Sequence, residues 1–357
     1  MRRYRIGADK GKGKSWEWIF IGIDVHRLLW HVTIRMAEVE LFHGSIPGRW
    51  EALRAVLDRY RGYQKRAVYE AGYFGFWLYD RLIEYGVDCV VTPPSLVPQE
   101  YGNHVKTDRR DSRKLAQLLA KGLLKRVWVP TTDQRYERQV IRRRKQVMGD
   151  RVRTQNRIKA ELRFYGLEVA MPTGQWTKRF VAQLKDLQFG NRWLEESFQR
   201  LVEEYQFLTQ QIEKQTKMIS ALAQTAPYQE RVKILCSTPG IGLLSAMEYL
   251  LELQDVKRFR RGNHLAAYVG LTPSQYSSGE KVRLGRITAI GKNDLRGTLV
   301  EVAWRLIAKD PAMRNKYEDI KVRAGSKRAI IAIARILLLR TRRMLLDSQP
   351  YIVGLTA

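Results

Sequence analysis

Three short runs, Trp18 to Asp24, Leu29 to Met36 and Val39 to Ile46, are rich in β-branched and aromatic residues and lie close enough together for a strand meander. Leu53, Val56, Leu57 and Tyr60 then recur at helical spacing, and a strand follows over Arg66 to Tyr69. A helix from Phe76 to Tyr85, a strand from Cys89 to Val91 and a helix from about Asp108 to Gly122 complete this part. Strands followed by a strand–helix alternation predict a mixed sheet with helices packed on it. In such a sheet Asp24 ends the central first strand and Glu70 ends its neighbour.

The pattern changes after residue 130. From Arg135 to Arg163 the chain reads as one basic helix. A heptad of Leu194, Phe198, Leu201, Tyr205, Leu208, Ile212, Ile219 and Leu222 follows, skipping the polar Gln215. Sustained spacing of this kind predicts a coiled coil, and an amphipathic helix packed within its own domain is the competing reading. From Val232 onward apolar helical stretches flank a Pro239-Gly240-Ile241-Gly242 turn. The expected organisation is a basic tail over 1–16, a mixed α/β domain over 17–130, a basic helix and coiled coil over 131–225, and a mostly helical domain over 226–357.

Composition narrows the function. The 357 residues include 64 Lys and Arg against 36 Asp and Glu, a formal net charge of +28. That balance implies a polyanionic partner, nucleic acid before membrane. Cys89 and Cys236 are the only cysteines and the five histidines are scattered, so a disulfide scaffold and a Cys-based zinc site are excluded. The apolar stretch AIIAIARILLL is short and carries Arg335, and the first residues lack an apolar signal core, so a cytoplasmic protein is expected.

Against that charge, four acids stand out: Asp24, Glu70, and the pair Asp108 and Asp111, three apart on one side of a helix start. Ligands collect at the strand ends of α/β sheets, and mutually repelling carboxylates can be held together by Mg²⁺, which takes oxygen ligands and keeps positions open for phosphate. Taken singly, Asp108 also reads as a helix N-cap and Asp24 as a turn former. Arg142, Arg143, Arg144, Lys145, Arg151, Arg153, Arg157 and Lys159 have few acids at i,i+4, which favours phosphate contact over a solvated ion-paired face. The turn at Gly240 and Gly242 can offer backbone N–H groups to a phosphate. Ser277 and Ser278 precede Gly279, with Lys281, Arg283, Arg286 and Lys292 close behind. A serine among cations can act as a nucleophile on phosphate, although composition alone reads this segment as a polar turn.

The segments GIDVH, YEAGY, KTDRRDSRKLA, STPGIG, LAAYVGLTPSQYSSG, GRIT and Gly291 to Arg296 occur in this order between about Ile19 and Trp304. In that combination the chain resembles the DEDD transposases and Piv-like DNA invertases, whose best-studied members are guided by a bridge RNA. The resemblance implies a RuvC-like, RNase-H-type domain whose Asp24, Glu70, Asp108 and Asp111 bind Mg²⁺, a coiled-coil linker, and a C-terminal transposase domain. It places the family's nucleophilic serine on Ser278, with Ser277 as the adjacent alternative. It further implies covalent serine-linked strand exchange between donor and target double-stranded DNA, a guide RNA, and a tetramer whose composite site is built by two protomers, whereas the heptad itself suggests a dimer through the coiled coil. Ala71-Gly72 stands where the family often has Thr-Gly, and Ala289 where it commonly has Lys, leaving Arg286 or Lys292 to supply that cation. A RuvC-type hydrolytic nuclease needs the acids but no serine, and a nucleic-acid scaffold needs neither.

Overall fold

The computed structural model describes residues 18–98, 108–172, 174, 176–275, 284–287 and 290–354, and the side chains at 108, 109 and 284 lie outside that description. The chain divides after Pro130 into two compact units. In the first, β1 (Trp18–Val25), β2 (Leu29–Met36), β3 (Val39–Pro47), α1 (Trp50–Leu57), β4 (Gln64–Glu70), α2 (Trp77–Glu84), β5 (Asp88–Thr92) and α3 (Asp108–Ala120) follow in order. The sheet order is β3-β2-β1-β4-β5. β1 pairs antiparallel with β2 and parallel with β4, so the predicted mixed sheet and the central place of the first strand are both found.

Alternation along β1 assigns its faces. Ile19, Ile21 and Ile23 are fully buried and pack with Leu53 and Leu57 of α1 and Leu78 and Leu82 of α2. Phe20 points the other way, into a second cluster with Val68, Val90, Leu115 and Leu119. Gly22 lies between these layers on the α3 side. A Cβ there would stand 2.1 Å from the Ser112 carbonyl oxygen and 2.5 Å from the Ala116 amide nitrogen. Only glycine lets the α3 backbone lie directly on β1. Two further contacts fix the helix. The buried Ser112 hydroxyl is 2.9 Å from the Thr33 hydroxyl on β2, and Arg113 donates two hydrogen bonds, of 2.9 and 3.0 Å, to Glu40 of β3. That guanidinium holds the Glu40 carboxyl below its ordinary range.

The second unit is helical. It contains α4 (Thr132–Phe164), α5 (Lys178–Lys185), α6 (Arg192–Ala223), α7 (Gln229–Cys236), α8 (Leu243–Leu253), α9 (Gly262–Val269), a β6 (Pro273–Gln275) and β7 (Leu284–Ile287) hairpin, α10 (Asn293–Lys309), α11 (Pro311–Ala324) and α12 (Ser326–Asp347). Thr131 and Gln134 form a reciprocal capping box at the start of α4, which begins the helix three residues earlier than the basic pattern alone indicates. The hydroxyl of Thr154 meets Glu204, and Arg144 donates to the Thr216 hydroxyl; these pairs show that α4 and α6 run antiparallel. Their far ends close over α5, where Ile158 and Leu162, Phe180 and Leu184, and Phe198 and Tyr205 share a core. Their near ends, through Ile141, Ile219 and Ala223, join the core of the C-terminal helices. Residues 131–225 and 226–357 therefore contribute to one compact unit.

The heptad of α6 is thus used largely inside the chain. Phe198, Tyr205, Ile212 and Ile219 are buried, together with Val202 and Ala223, which lie off the heptad, whereas Leu194, Leu201, Leu208 and Leu222 are half-buried. Replacing Gly22 with alanine drives a methyl group into backbone that has no rotamer to relieve it. Gly22→Ala is expected to destabilise the first unit by about 3 kcal/mol, the upper range for overpacking, read as a lowered denaturant midpoint; an unchanged midpoint would show that α3 does not need this contact.

Candidate active site

Asp24 and Glu70 each follow the last paired residues of two neighbouring parallel strands, Ile23 and Tyr69. Alternation puts Asp24 on the face of Gly22 and Glu70 on the face of Val68, which is the face that α3 covers. Asp111 is the residue before Ser112 and stands one helical turn before Leu115, which packs with Val68. The structure therefore places three of the four predicted carboxylates on one face of one sheet, two at strand ends and one on the covering helix. The side chain of Asp108, a further turn before Ser112, lies outside the described residues. Asp24 accepts a hydrogen bond from His26 Nε2 at 3.1 Å. All four predicted ligands are carboxylates, a donor set that fits a hard divalent cation. Among the described residues no three His, Cys, Asp or Glu side chains converge closely enough to hold an ion, so what is described is a shared face, not a closed cage.

The basic helix divides into two populations. Arg142 makes a two-pronged pair with Glu252 of α8, at 2.7 and 3.0 Å. Lys145 pairs with Glu248, which also accepts from the Thr298 hydroxyl of α10 at 2.8 Å. Lys292 Nζ lies 3.5 Å from Glu252, Arg153 pairs with Asp150, and Arg157 lies 3.7 Å from Glu204. Few acids stand at i,i+4, yet Arg142, Lys145, Arg153 and Arg157 all have acidic partners, and the ground for phosphate contact is weakest at Arg142 and Lys145, which pair with buried glutamates. Their partners come from α8, more than a hundred positions along the chain, instead of from i,i+4 neighbours. Among the described residues, Arg143, Arg151 and Lys159 form no ion pair. An open groove of about 600 Å³ borders this network, lined by Arg142, Lys145, Arg153, Glu252, Lys292 and Asp294 among others.

Ser277, Ser278, Lys281 and Arg283 lie outside the described residues. What flanks them is described. The β6–β7 hairpin has Arg286 exposed on β7, and Lys292 begins α10. Gly291, at φ +123°, crosses so close to α9 that a Cβ would stand 2.7 Å from the Gly270 amide nitrogen, which ties the base of this segment to the helical core. The Pro239–Gly242 turn is used on both sides. A Cβ at Gly240 would meet the Arg305 Cβ at 2.7 Å, so this glycine packs the turn on α10, whereas Gly242 is exposed and begins α8 without a side-chain cap.

Residues 21–166 match the family model of the IS110-type DEDD transposases, described as a transposase, and residues 232–318 match the Transposase IS116/IS110/IS902 family. The chain is 29% identical to the y4qE protein of Sinorhizobium fredii, over 80% of this chain and 71% of that one. It is 24% identical to the transposase for insertion sequence element IS1533 of Leptospira borgpetersenii, over 93% of this chain and 97% of that protein. It is 25% identical to the transposase for insertion sequence element IS1111A of Coxiella burnetii, over 69% and 67% of the two chains. No helix among the described residues is long and apolar enough to cross a membrane.

Sequence reasoning missed His26, Glu248 and Glu252. The glutamates had a readable signal: two acids four apart within the leucine-rich LLSAMEYLLEL, on a helix that is buried from Ala246 to Leu253. Burial raises the Glu252 carboxyl, but the Arg142 hydrogen bond and the charges of Arg142, Lys292 and Arg138 outweigh it and hold the group below its ordinary value. A depressed carboxyl stabilises the fold above its unfolded pKa and loses that contribution as pH falls through the folded value. Glu252→Gln is therefore expected to cost about 2 kcal/mol at neutral pH, discounted for the half-exposed Arg142. The difference from the parent should shrink as pH falls below the ordinary carboxylate range; a difference independent of pH, measured by denaturant unfolding, would refute the ion-pair account.

Proposed function

The chain belongs to the IS110-type family of DEDD transposases, and from that premise we propose that it is a Mg²⁺-dependent recombinase of a mobile element that cuts and rejoins DNA through a serine. The observation that carries this reading is the placement of Asp24, Glu70 and Asp111 on one face of an RNase-H-like mixed sheet, in a protein of net charge +28. Asp24, Glu70, Asp108 and Asp111 are the residues that would hold Mg²⁺, which supplies charge neutralisation at an attacked phosphate.

The remaining chemistry falls to the chain itself. Ser278 Oγ, with Ser277 as the adjacent alternative, attacks phosphorus and loses its proton. The bond from phosphorus to the leaving deoxyribose oxygen breaks, and that oxygen takes up a proton. Attack on the serine-linked phosphate by the corresponding oxygen of a second duplex reverses the step and joins new partners. Because the phosphoester bond is exchanged and not hydrolysed, no nucleotide cofactor is required. Arg286 and Lys292, which both follow the serines in the chain, are suited to stabilising negative charge on the phosphate. Arg143, Arg151 and Lys159, outside the ion-pair network, together with Arg153 and Arg157, are suited to the nucleic-acid backbone. Target choice by base pairing to a guide RNA, and assembly into dimers or tetramers using the half-buried flank of α6, complete the proposal.

The test is a denaturing gel of labelled DNA carrying the element's ends, incubated with protein, Mg²⁺ and RNA transcribed from the flanking region. A protease-sensitive shifted band is expected, lost in Ser278→Ala, in Asp24→Asn and in chelator. Free cut ends unaffected by Ser278→Ala or by Ser277→Ala would identify a hydrolytic nuclease instead. A second expectation concerns salt: changing Arg143, Arg151 and Lys159 together to alanine should reduce the slope of log affinity against log salt by about two to three units, whereas Arg142→Ala should act mainly on stability. Equal salt slopes for the parent and the triple variant would remove these residues from the interface.

A further inference from the structure

The loop that leaves the candidate active site is braced so that an aromatic ring faces solvent. After Glu70, the Ala71 amide donates to the Thr92 carbonyl at 2.8 Å, the Gly75 amide donates to the Gly72 carbonyl at 3.1 Å, and the Tyr69 hydroxyl donates to the Gly75 carbonyl at 3.1 Å. Residues 72–75 are thus a closed turn with Gly75 at φ +62°, and Tyr73 and Phe74 occupy its two central positions. Phe76 packs inward on the core of the unit. Tyr73 does not: it is 76% exposed, with its ring centroid 4.3 Å from that of the half-buried Phe74.

The ring has apolar company at the same end of the sheet. Trp77, 39% exposed, lies 5.7 Å from Trp30, which joins the start of α2 to the turn between β1 and β2. That turn exposes Leu28 (71%) and Leu29 (51%) beside the exposed His26 and Arg27. A single surface tyrosine is ordinary. An aromatic pair on a hydrogen-bonded turn, three residues beyond a carboxylate of the candidate site and bordered by further exposed apolar side chains, has the form of a stacking platform.

We propose that Tyr73, backed by Phe74, stacks on an unpaired nucleobase of the DNA strand whose backbone lies at the carboxylate face. This rests on the reading of the chain as an enzyme acting on DNA, and extends it by assigning a base-binding site. The occupant is a nucleobase and not a second copy of the chain, because the platform adjoins the Asp24–Glu70 sheet end and the protein's net charge of +28 draws a polyanion to it. Any base presents a π-face, so the site takes unstacked bases without reading sequence. Its effect is to hold one nucleotide out of the duplex beside the phosphate to be cut.

The experiment uses the full chain and a single-stranded oligodeoxynucleotide carrying 2-aminopurine, whose fluorescence falls when it stacks. The parent should quench the probe. Tyr73→Ala should lose the quench and bind about ten-fold more weakly, in line with the loss of one stacked base, and Tyr73→Phe should retain both because the ring and not the hydroxyl makes the contact. Asp24→Asn should keep the quench while losing cleavage, which separates the two readings. Quenching by the parent, with no strand cleavage in the gel assay of the element's ends with Mg²⁺ and RNA, would sink the recombinase reading and leave the platform standing. Cleavage with Tyr73→Ala matching the parent in quench and affinity would overturn the platform alone. A Tyr73→Ala protein that changes sedimentation mass while quenching normally would assign the patch to a second copy and also overturn it.

Discussion

The contact between Gly22 and α3 is the constraint on which the first unit depends. A helix normally stands off a sheet because side chains intervene between the two backbones. Here the Ser112 carbonyl and Ala116 amide occupy the space a Cβ at Gly22 would need. The consequence is positional. Everything on the covered face is referred to that point: Asp24 is two residues along the strand, Val68 and Glu70 lie on the next strand, and Asp111 immediately precedes Ser112. Without a glycine the helix would have to lift, and carboxylates on strand and helix would separate by the same distance. The Thr33–Ser112 hydroxyl contact and the Arg113–Glu40 pair fix the helix's rotation and lateral position, which the glycine alone leaves free.

In the second unit the organising problem is charge. A helix carrying Arg142, Arg143, Arg144 and Lys145 in succession must turn some of its cations inward, because four successive residues cover more than one turn. The structure solves this by placing Glu248 and Glu252 on an otherwise buried apolar helix. They lie four apart, on one face, toward α4 and α10. The two glutamates are buried charges that would be prohibitive alone, and their cations are inward-facing charges that would be equally costly alone. Paired, they join three helices. The total of 64 Lys and Arg is therefore a poor count of the cations available to a nucleic acid: the ion pairs withdraw Arg142 and Lys145, and Arg138 is spent on the Leu251 carbonyl at the end of α8.

Much of the first unit was legible because its signals are local. Alternation placed the strands, and Asp24 and Glu70 fall where apolar runs stop, so their place at strand ends required no tertiary knowledge. The role of Gly22 was not legible, since a glycine inside GIDVH reads as a weak strand residue until the helix that lies on it is known. In the second unit the basic helix and the heptad were both read from period, yet their partners were not. The α4–α6 pairing joins residues fifty to seventy positions apart, and periodicity cannot tell an internal partner from a second chain. The short α5 was missed because its eight residues supply barely two turns of pattern, and Thr177 as its cap is meaningful only once the helix is seen. The ion pairs with α8 were invisible for the same reason: an i,i+4 test finds local partners only.

The same distinction between local signal and tertiary use governs the turn after Glu70. In sequence, EAGYFGFW reads as glycines and aromatics alternating, which suits either a core strand or a loop. Three hydrogen bonds decide it, two within the turn and its flanking tyrosine and one to β5. They fix the backbone tightly enough that the orientation of each ring follows: Phe76 into the core, Phe74 along the surface, Tyr73 into solvent. A floppy loop would have collapsed its apolar rings onto the nearby Trp30 and Trp77, gaining burial at little entropic cost. Rigidity therefore keeps the ring exposed, and the bracing that does so uses Tyr69 and Thr92, residues of the two strands, β4 and β5, that also carry and flank Glu70. The carboxylate and the exposed aromatic are thus set by one frame, and a displacement of either strand would move both.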